Sequence, residues 1–365
     1  MQADLSILVV RADRIGDVVL STPVFEAIRN HYPKAKITVL VRELVAPLLR
    51  GLSSVDEVLI YEPEGKHAGF SGFFELMREF RKRKIQLAIC LQSQPRIAAA
   101  LFGVGVPHRV GPLSKLHSFI FYNRGVRQRR SQVEMHEADY NLQLLRRLGI
   151  RSGTRNFPTR VHLDPEACET ASQWMNRLRQ FPGASGRVVA VHPGMGGSAL
   201  NWPEDSYLEL IQALLDAGHG VVLTGGGLEA PLLERFREKL PAHPGLGFWG
   251  GKDSGPVSRL AGLFAQVDLV VAPSTGPLHV AVAVGRSVVT FYPPIRVQSA
   301  VRWGPYVSDE NQASVLVPEV YCGEDFRCRG SLCHYYPCMK SIPVRVALEQ
   351  VQLQLSKLPP SRHST

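Results

Sequence analysis

The stretch Leu5–Pro23, LSILVVRADRIGDVVLSTP, decides the fold. Leu5–Val10 is an unbroken apolar run, too short for a buried helix, and it predicts a strand covered on both faces. Beyond it, Val18, Val19, Val24, Ala27 and Ile28 share one apolar helical face. Pro23 suits N1 of a helix capped by Thr22. Arg14-Ile-Gly-Asp17 therefore stands at a strand-to-helix corner, and in open α/β sheets ligands bind at the carboxyl ends of strands. Gly16 permits the tight turn there. Asp17 lies near unpaired N–H groups of the helix start, which favour its ionised form. A carboxylate held in this way accepts a proton from an attacking hydroxyl, or it serves only as a helix cap. Local sequence leaves both readings open.

Working outward, Lys36–Val41, Glu57–Tyr61, Ile85–Leu91 and Arg109–Gly111 read as further strands. Leu44–Arg50, Phe73–Lys82 and Arg96–Val104 read as helices, and Gly65–Gly72 as a loop. The alternation is that of βα units with parallel strands. Polar residues Gln92, Ser93, Gln94 and Arg96 close the Ile85–Leu91 strand, where a site belongs. Asn123–Arg130, NRGVRQRR, carries four arginines in a turn-like segment. Arg124, Arg127 and Arg129 suit bidentate binding of phosphate or carboxylate, or form a solvated basic loop. His136 opens a leucine-rich helix over Met135–Leu148, with Leu142, Leu145 and Leu148 facing inward.

The chain has 365 residues, with 45% apolar and 20% charged residues, the size of two globular domains. No apolar run approaches the ~18 residues of a membrane span. A basic n-region with apolar core and cleavage site is missing from the N-terminus, so the expectation is a cytosolic enzyme. The formal net charge is +10; residues 1–150 contribute 22 Lys and Arg against 14 Asp and Glu. A basic first half attracts anionic partners. Helix-turn-helix, zinc-finger and ribonucleoprotein motifs are absent from the sequence, which argues against nucleic acid.

After a boundary region with Pro182 and Gly183, a helix from Asp164-Pro165 to about Arg179 lies behind and Arg187–Val191 restarts the strands. His192-Pro-Gly-Met-Gly-Gly-Ser-Ala199 follows. Its Gly194, Gly196 and Ala199 fit the loose dinucleotide fingerprint, but the next helix starts late, after Asn201–Asp205, and no acidic partner is evident. Gly220–Thr224 and Val267–Ala272 are strands, and Ser287–Tyr292 is the last one expected. Thr275, Gly276 and the exposed N–H groups of the following helix form a diphosphate site, to which His279 adds a donor. Cys322, Cys328, Cys333 and Cys338 are spaced C-x5-C-x4-C-x4-C, without paired C-x2-C knuckles. Reduced thiols, a metal site and disulfides all stay open. Val344–Leu358 is a terminal amphipathic helix, with a disordered tail expected over 359–365.

The opening R-x-D-R-I-G-D-V-V-L-S-T-P, with Val188–Glu204, Gly220–Glu229 and Asp268–Tyr292 in the same order, resembles the lipopolysaccharide core heptosyltransferases, glycosyltransferase family 9. The resemblance implies a GT-B fold: two Rossmann-like α/β domains facing each other across a cleft. On this reading residues 1–165 bind the acceptor, 166–343 bind a nucleotide-diphosphate sugar, and 344–365 are a terminal helix and tail. It implies inverting transfer of heptose from ADP-heptose to a lipid-linked, anionic inner-core saccharide at the cytosolic membrane face, without metal or cofactor. Asp17 becomes the base. Gly194, Met195 and Gly196 approach the donor phosphates, Glu229 holds the ribose, and Ser274, Thr275, Gly276 and His279 complete the donor site. Arg96, Arg124, Arg127, Arg129 and His136 meet the acceptor. Two positions depart from the family pattern. Leu200 stands where a lysine is usual, and Ser274 where aspartate is more frequent. Arg14 is the leading candidate to supply the missing charge to the diphosphate. Two alternatives remain: another sugar-nucleotide enzyme of this fold, including an epimerase, or a binder that has lost turnover.

Overall fold

The computed structural model describes residues 5–181, 184–197, 199–251 and 255–359. Two compact units divide the chain, Met1–His162 and Leu163–Thr365. The first is built on β1 (Ser6–Val10), β2 (Lys36–Val41), β3 (Glu57–Ile60), β4 (Leu87–Cys90), β5 (His108–Pro112) and β6 (Arg124–Val126). All pair in parallel, in the order β3-β2-β1-β4-β5-β6. Helices cover both faces of such a sheet, so its central strands carry no polar alternation. Val9 of β1 lies between Val39 and Ile89, all three fully buried. Strand order reverses between β1 and β4, which places the Arg11–Asp17 corner at the sheet's switch point.

The second unit repeats the plan with β7 (Val188–Val191), β8 (Gly220–Gly225), β9 (Leu246–Gly250), β10 (Leu269–Pro273), β11 (Ser287–Phe291) and β12 (Ala313–Leu316). Its order is β12-β11-β10-β7-β8-β9, again parallel. The switch point falls between β7 and β10. There the backbone N–H of His192 donates to Val271 O at 3.0 Å or less (2.9 Å), so the glycine-rich loop leaves the sheet beside Ser274 and Thr275. The expected α/β architecture of two Rossmann-like units is thus present.

Several expectations are corrected. Ser287–Phe291 is not the last strand, because β12 follows it; β6 and β9 were also unforeseen. NRGVRQRR is not a loop throughout, since Arg124–Val126 forms an edge strand and Arg130–Gln132 a 3-10 turn. Gly65–Gly72 is only partly a loop. The helix beginning at Gly69 contains Gly72, where a Cβ would stand 2.4 Å from the His67 carbonyl carbon. The leucine-rich helix is α-helical only over Glu137–Gln143 and tightens to 3-10 over Leu144–Leu148, with Leu142 and Leu145 buried and Leu148 half-buried. Asp164 caps the Pro165–Arg179 helix by accepting from Glu166 N at 3.2 Å, as expected for Asp-Pro at a helix start. The expected terminal amphipathic helix is present over Val344–Ser356, and its Ala347, Val351 and Leu355 join the second unit's core. Residues 360–365 of the expected tail lie outside the described residues. Among the described residues no helix is long and apolar enough to cross a membrane.

Trp202 anchors the second core. Its ring stacks on Phe291 with centroids 4.3 Å apart, meets Tyr207 edge-on at 5.0 Å, and donates Nε1–H to Ile342 O at 3.1 Å. Truncating so enclosed an aromatic leaves a cavity and strands a carbonyl. Trp202→Ala should destabilise by about 3–5 kcal/mol, seen as an earlier denaturant transition of the second unit, with Trp202→Phe milder. An unchanged transition in Trp202→Ala would refute this packing.

Candidate active site

Arg11 follows β1 directly, its N–H extending the ladder to Leu40 O at 3.0 Å. Its side chain is only 3% exposed and is surrounded by carboxylates. Arg11 donates to Asp17 Oδ1, lies 3.0 Å from Asp13 Oδ2, and reaches Glu137 Oε1 and Asn141 Oδ1, each at 3.3 Å. Arg130 joins from the other side, donating to Glu137, to Asn141 Oδ1 at 3.3 Å and to Leu91 O at 3.2 Å. Asn141 in turn donates to Ser21 Oγ at 3.2 Å. The Glu137–Gln143 helix is thereby tied to the corner that carries Asp17. Burial alone would discharge Arg11, but Asp17, Glu137 and Asp13 more than offset it and keep the guanidinium protonated. Asp13 is pushed above the usual carboxylate range by burial and by Asp17, against the pull of Arg11.

Asp17 stands in the first turn of the short Ile15–Val19 helix but does not cap it; Arg14 is the N-cap residue and no side chain bonds there. The cap reading is therefore replaced by an ion pair with Arg11. The Asp17 side chain remains 20% exposed, so a partner can approach. Arg14 is exposed and, with Asp13, Arg42, Tyr61, Glu62 and Glu64, lines an open pocket of about 610 Å³ at the ends of the first strands. Arg42 pairs with Glu64 there.

The other arginines are placed differently from the sequence expectation. Arg96 donates to Gly69 O and lies over the Phe73 ring, 5.5 Å from its centroid. Arg124 sits on edge strand β6 and donates to Arg147 O at 3.3 Å. Arg127 and Arg129 are exposed. His136 is buried, and its Nδ1 caps the next helix by accepting from Ala138 N at 3.1 Å. The residues of this region that reach the Asp17 corner are instead Arg130, Glu137 and Asn141. Sequence reasoning missed them, and missed Arg11. A buried-looking Glu-x-x-x-Asn pair on one helical face was the available signal.

In the second unit Gly194 is needed for space: a Cβ there would lie 2.0 Å from Glu229 Oε1. Glu229 ends a 3-10 turn, Gly227–Glu229, and its Oε2 accepts from Gly226 N at 2.6 Å, while His192 Nε2 stands 3.4 Å from Oε1. Burial favours the neutral acid, yet His192 and the Gly226 N–H hold Glu229 below the usual range. His192 Nδ1 meets Thr224 Oγ1 at 3.0 Å. Met195 is half-buried and Gly196 exposed, and nothing lies within 4 Å of a Cβ built at Gly196. Thr275 is the N-cap of the Gly276–Ala283 helix, and its hydroxyl does not cap that helix. Ser274 is half-buried, and His279 is buried one turn in.

Leu200, at the departing position, packs on the second core and lines a small cavity with Cys322, Cys328, Cys333 and Cys338. All four are free thiols, and Gly330 N–H donates to Cys328 Sγ at 3.2 Å. Among the described residues no group of three or more His, Cys, Asp or Glu stands ready to hold a metal ion.

The Arg11 cluster makes a stability prediction. Arg11→Met leaves Glu137 buried with one cation fewer, which should cost about 3–5 kcal/mol at neutral pH. The deficit should shrink as acid protonates the stranded carboxylates: burial already raises Asp13 with Arg11 present, so without the cation its ionised form costs native stability above the carboxylate range and the neutral acid removes that cost below it. Denaturant titrations at several pH values check this; a deficit independent of pH would contradict it.

The family model for glycosyltransferase family 9 (heptosyltransferase) matches residues 73–335. A Haemophilus influenzae protein named "Putative glycosyltransferase" is 31% identical over 325 residues, covering 86% of this chain and 89% of that protein. Among solved structures, a family 9 glycosyl transferase from Veillonella parvula superposes with a TM-score of 0.82 at 20% identity, covering 98% and 99% of the two chains. The E. coli ADP-heptose lipopolysaccharide heptosyltransferase II superposes at 0.75 with 19% identity, covering 97% and 99%. The motifs, the paired six-stranded sheets and these likenesses lead to one conclusion: the chain belongs to glycosyltransferase family 9, the heptosyltransferase family.

Proposed function

We propose that this glycosyltransferase moves heptose from ADP-heptose to an anionic, lipid-linked inner-core saccharide of lipopolysaccharide, with inversion at the anomeric carbon. The observation that carries the reading is the Asp17 carboxylate, partly exposed at the first unit's switch point and held by buried Arg11. A partly exposed carboxylate fixed by a buried guanidinium is suited to general-base work. The acceptor hydroxyl oxygen attacks the anomeric carbon opposite the leaving group as its proton passes to Asp17. The bond from that carbon to the phosphate oxygen breaks, and the electron pair leaves with the nucleoside diphosphate.

The second unit supplies the donor site. Backbone around Gly194, Met195 and Gly196 approaches the phosphates, and Glu229 accepts from ribose hydroxyls. The N–H groups at Thr275–Gly276, with Ser274 and His279 beside them, receive the diphosphate; oriented donors of this kind act where charge develops. ADP-heptose is favoured because the family is that of the heptosyltransferases and a structural neighbour is named for this donor. An anionic acceptor is favoured by the basic first half, with exposed Arg127 and Arg129 steering it and Arg96, Arg124 and His136 shaping the same side. Arg14, exposed beside Asp17, compensates for the charge lost at Leu200.

The two halves of this reading separate experimentally. Asp17→Asn should lower turnover by ~10²-fold or more while ADP affinity by calorimetry stays within error. Glu229→Ala should weaken ADP binding instead. Near-normal turnover in Asp17→Asn would remove the base from Asp17.

A further inference from the structure

We infer that the outer face of three helices of the first unit, Gly69–Lys82, Pro95–Gly103 and Leu116–Phe121, is a docking surface for an anionic lipid bilayer. These helices form the crossovers from β3 to β4, β4 to β5 and β5 to β6. Right-handed crossovers running in one direction across a parallel sheet put their helices on the same face. Each helix has a proper inward side: Leu76 and Phe80, then Ile97 and Leu101, then Ser118 are buried. Each nevertheless turns large apolar side chains outward. Phe70 is 79% exposed, Leu116 83% and Ile120 62%, and Phe74, Phe102 and Phe119 are each at least half exposed.

The three helices are neighbours, the first packed on the second and the second on the third. Phe70 and Phe74 meet edge-on at 5.0 Å, and Phe74 meets Phe73 at 5.9 Å. Phe73 lies under Arg96 of the second helix. Phe102, on that second helix, is 5.7 Å from Phe121 of the third, with Arg109 over its ring at 5.2 Å. Single exposed apolar residues are ordinary, but six of them on three adjacent helices of one sheet face mark a binding face.

Charge selects the occupant. Between Lys66 and Val133 the sequence has thirteen Lys and Arg against two Glu, and none of the residues from Phe80 to Val133 is acidic. Both glutamates, Glu75 and Glu79, are already paired with Lys66, Arg78 and Arg83. Arg78, Arg81, Lys82 and Lys115 are exposed at the patch margins. Aromatic and aliphatic side chains ringed by cations fit the interface of an anionic membrane, where the apolar groups enter the acyl boundary and the cations meet headgroups. An apolar protein partner would not call for so one-sided a charge. The inference rests on the proposed reading only for its purpose, which is to bring the first unit to a lipid-anchored acceptor; its test uses no acceptor.

The full chain should co-sediment with phosphatidylethanolamine–phosphatidylglycerol vesicles, stay in solution with phosphatidylcholine vesicles, and dissociate as salt screens the headgroups. The triple variant Phe70→Ser, Phe119→Ser, Ile120→Ser should bind at least about tenfold more weakly, since burying one such side chain is worth about that factor. Its near-UV circular dichroism and its ADP affinity by calorimetry should match the parent. Failure of the parent to bind anionic vesicles, or equal binding by the variant, overturns the inference. So does a parent dimer, seen by gel filtration, that the variant dissociates without any vesicle binding, because the patch then serves a second copy. Vesicle binding without ADP-heptose transfer would instead leave the docking face standing and remove the proposed donor and acceptor.

Discussion

The first unit's site depends on one buried cation. Arg11 leaves β1 into a setting where an isolated charge would cost several kcal/mol, and it is tolerated because Asp13, Asp17 and Glu137 surround it. Arginine suits this position better than lysine, since its planar fork serves several carboxylates at once. Arg11 and Arg130 face three carboxylates there, of which Glu137 is buried while Asp17 and Asp13 stay partly exposed. The same contacts hold the Glu137–Gln143 helix to the βα corner through Asn141 and Ser21. Fold and chemistry share these bonds, so the corner cannot drift without uncovering buried charge.

The second unit solves the matching problem with space and shape. Its switch point brings the loop after β7 beside the helix start after β10, and Gly194 leaves room for Glu229 against that loop. Trp202 then fixes the far end of the loop into the core. Asn201 bridges the two, donating to Pro193 O at 2.8 Å and accepting from Trp202 N and the Tyr207 hydroxyl at 2.8 and 3.0 Å. Leu200 packs against this layer.

Much of this was legible in the sequence, for identifiable reasons. The central strands carry uninterrupted apolar runs because both faces are covered, and Asp-Pro at residues 164–165 announces its helix by capping alone. Of the four edge strands only β3 was legible; β6, β9 and β12 were not. β6 is Arg-Gly-Val, and β9 contains two glycines in Leu246–Gly250; edges tolerate polar and small residues because one side faces solvent. Asp17 was found from its corner, but its partner was not. Arg11 meets Glu137 across 126 positions of sequence, and no local periodicity encodes such a contact. Arg130 reads in sequence as one of four arginines for a phosphate or carboxylate, or as part of a basic loop, whereas its guanidinium turns inward to Glu137 and Asn141. Gly194 was read for backbone approach to phosphate, whereas in the fold it makes room for the side chain of Glu229 from the 3-10 turn after β8.

The most direct measurement is the single-turnover transfer rate of Arg11→Gln combined with Glu137→Gln. This pair removes one charge of each sign and so keeps the net charge of the cluster. If Arg11 holds the Asp17 carboxylate in place as the proton acceptor, the rate falls by about 10²-fold, with ADP affinity unchanged. A rate identical to that of the parent, in a folded variant, would show that Asp17 does not depend on Arg11 and would contradict the account.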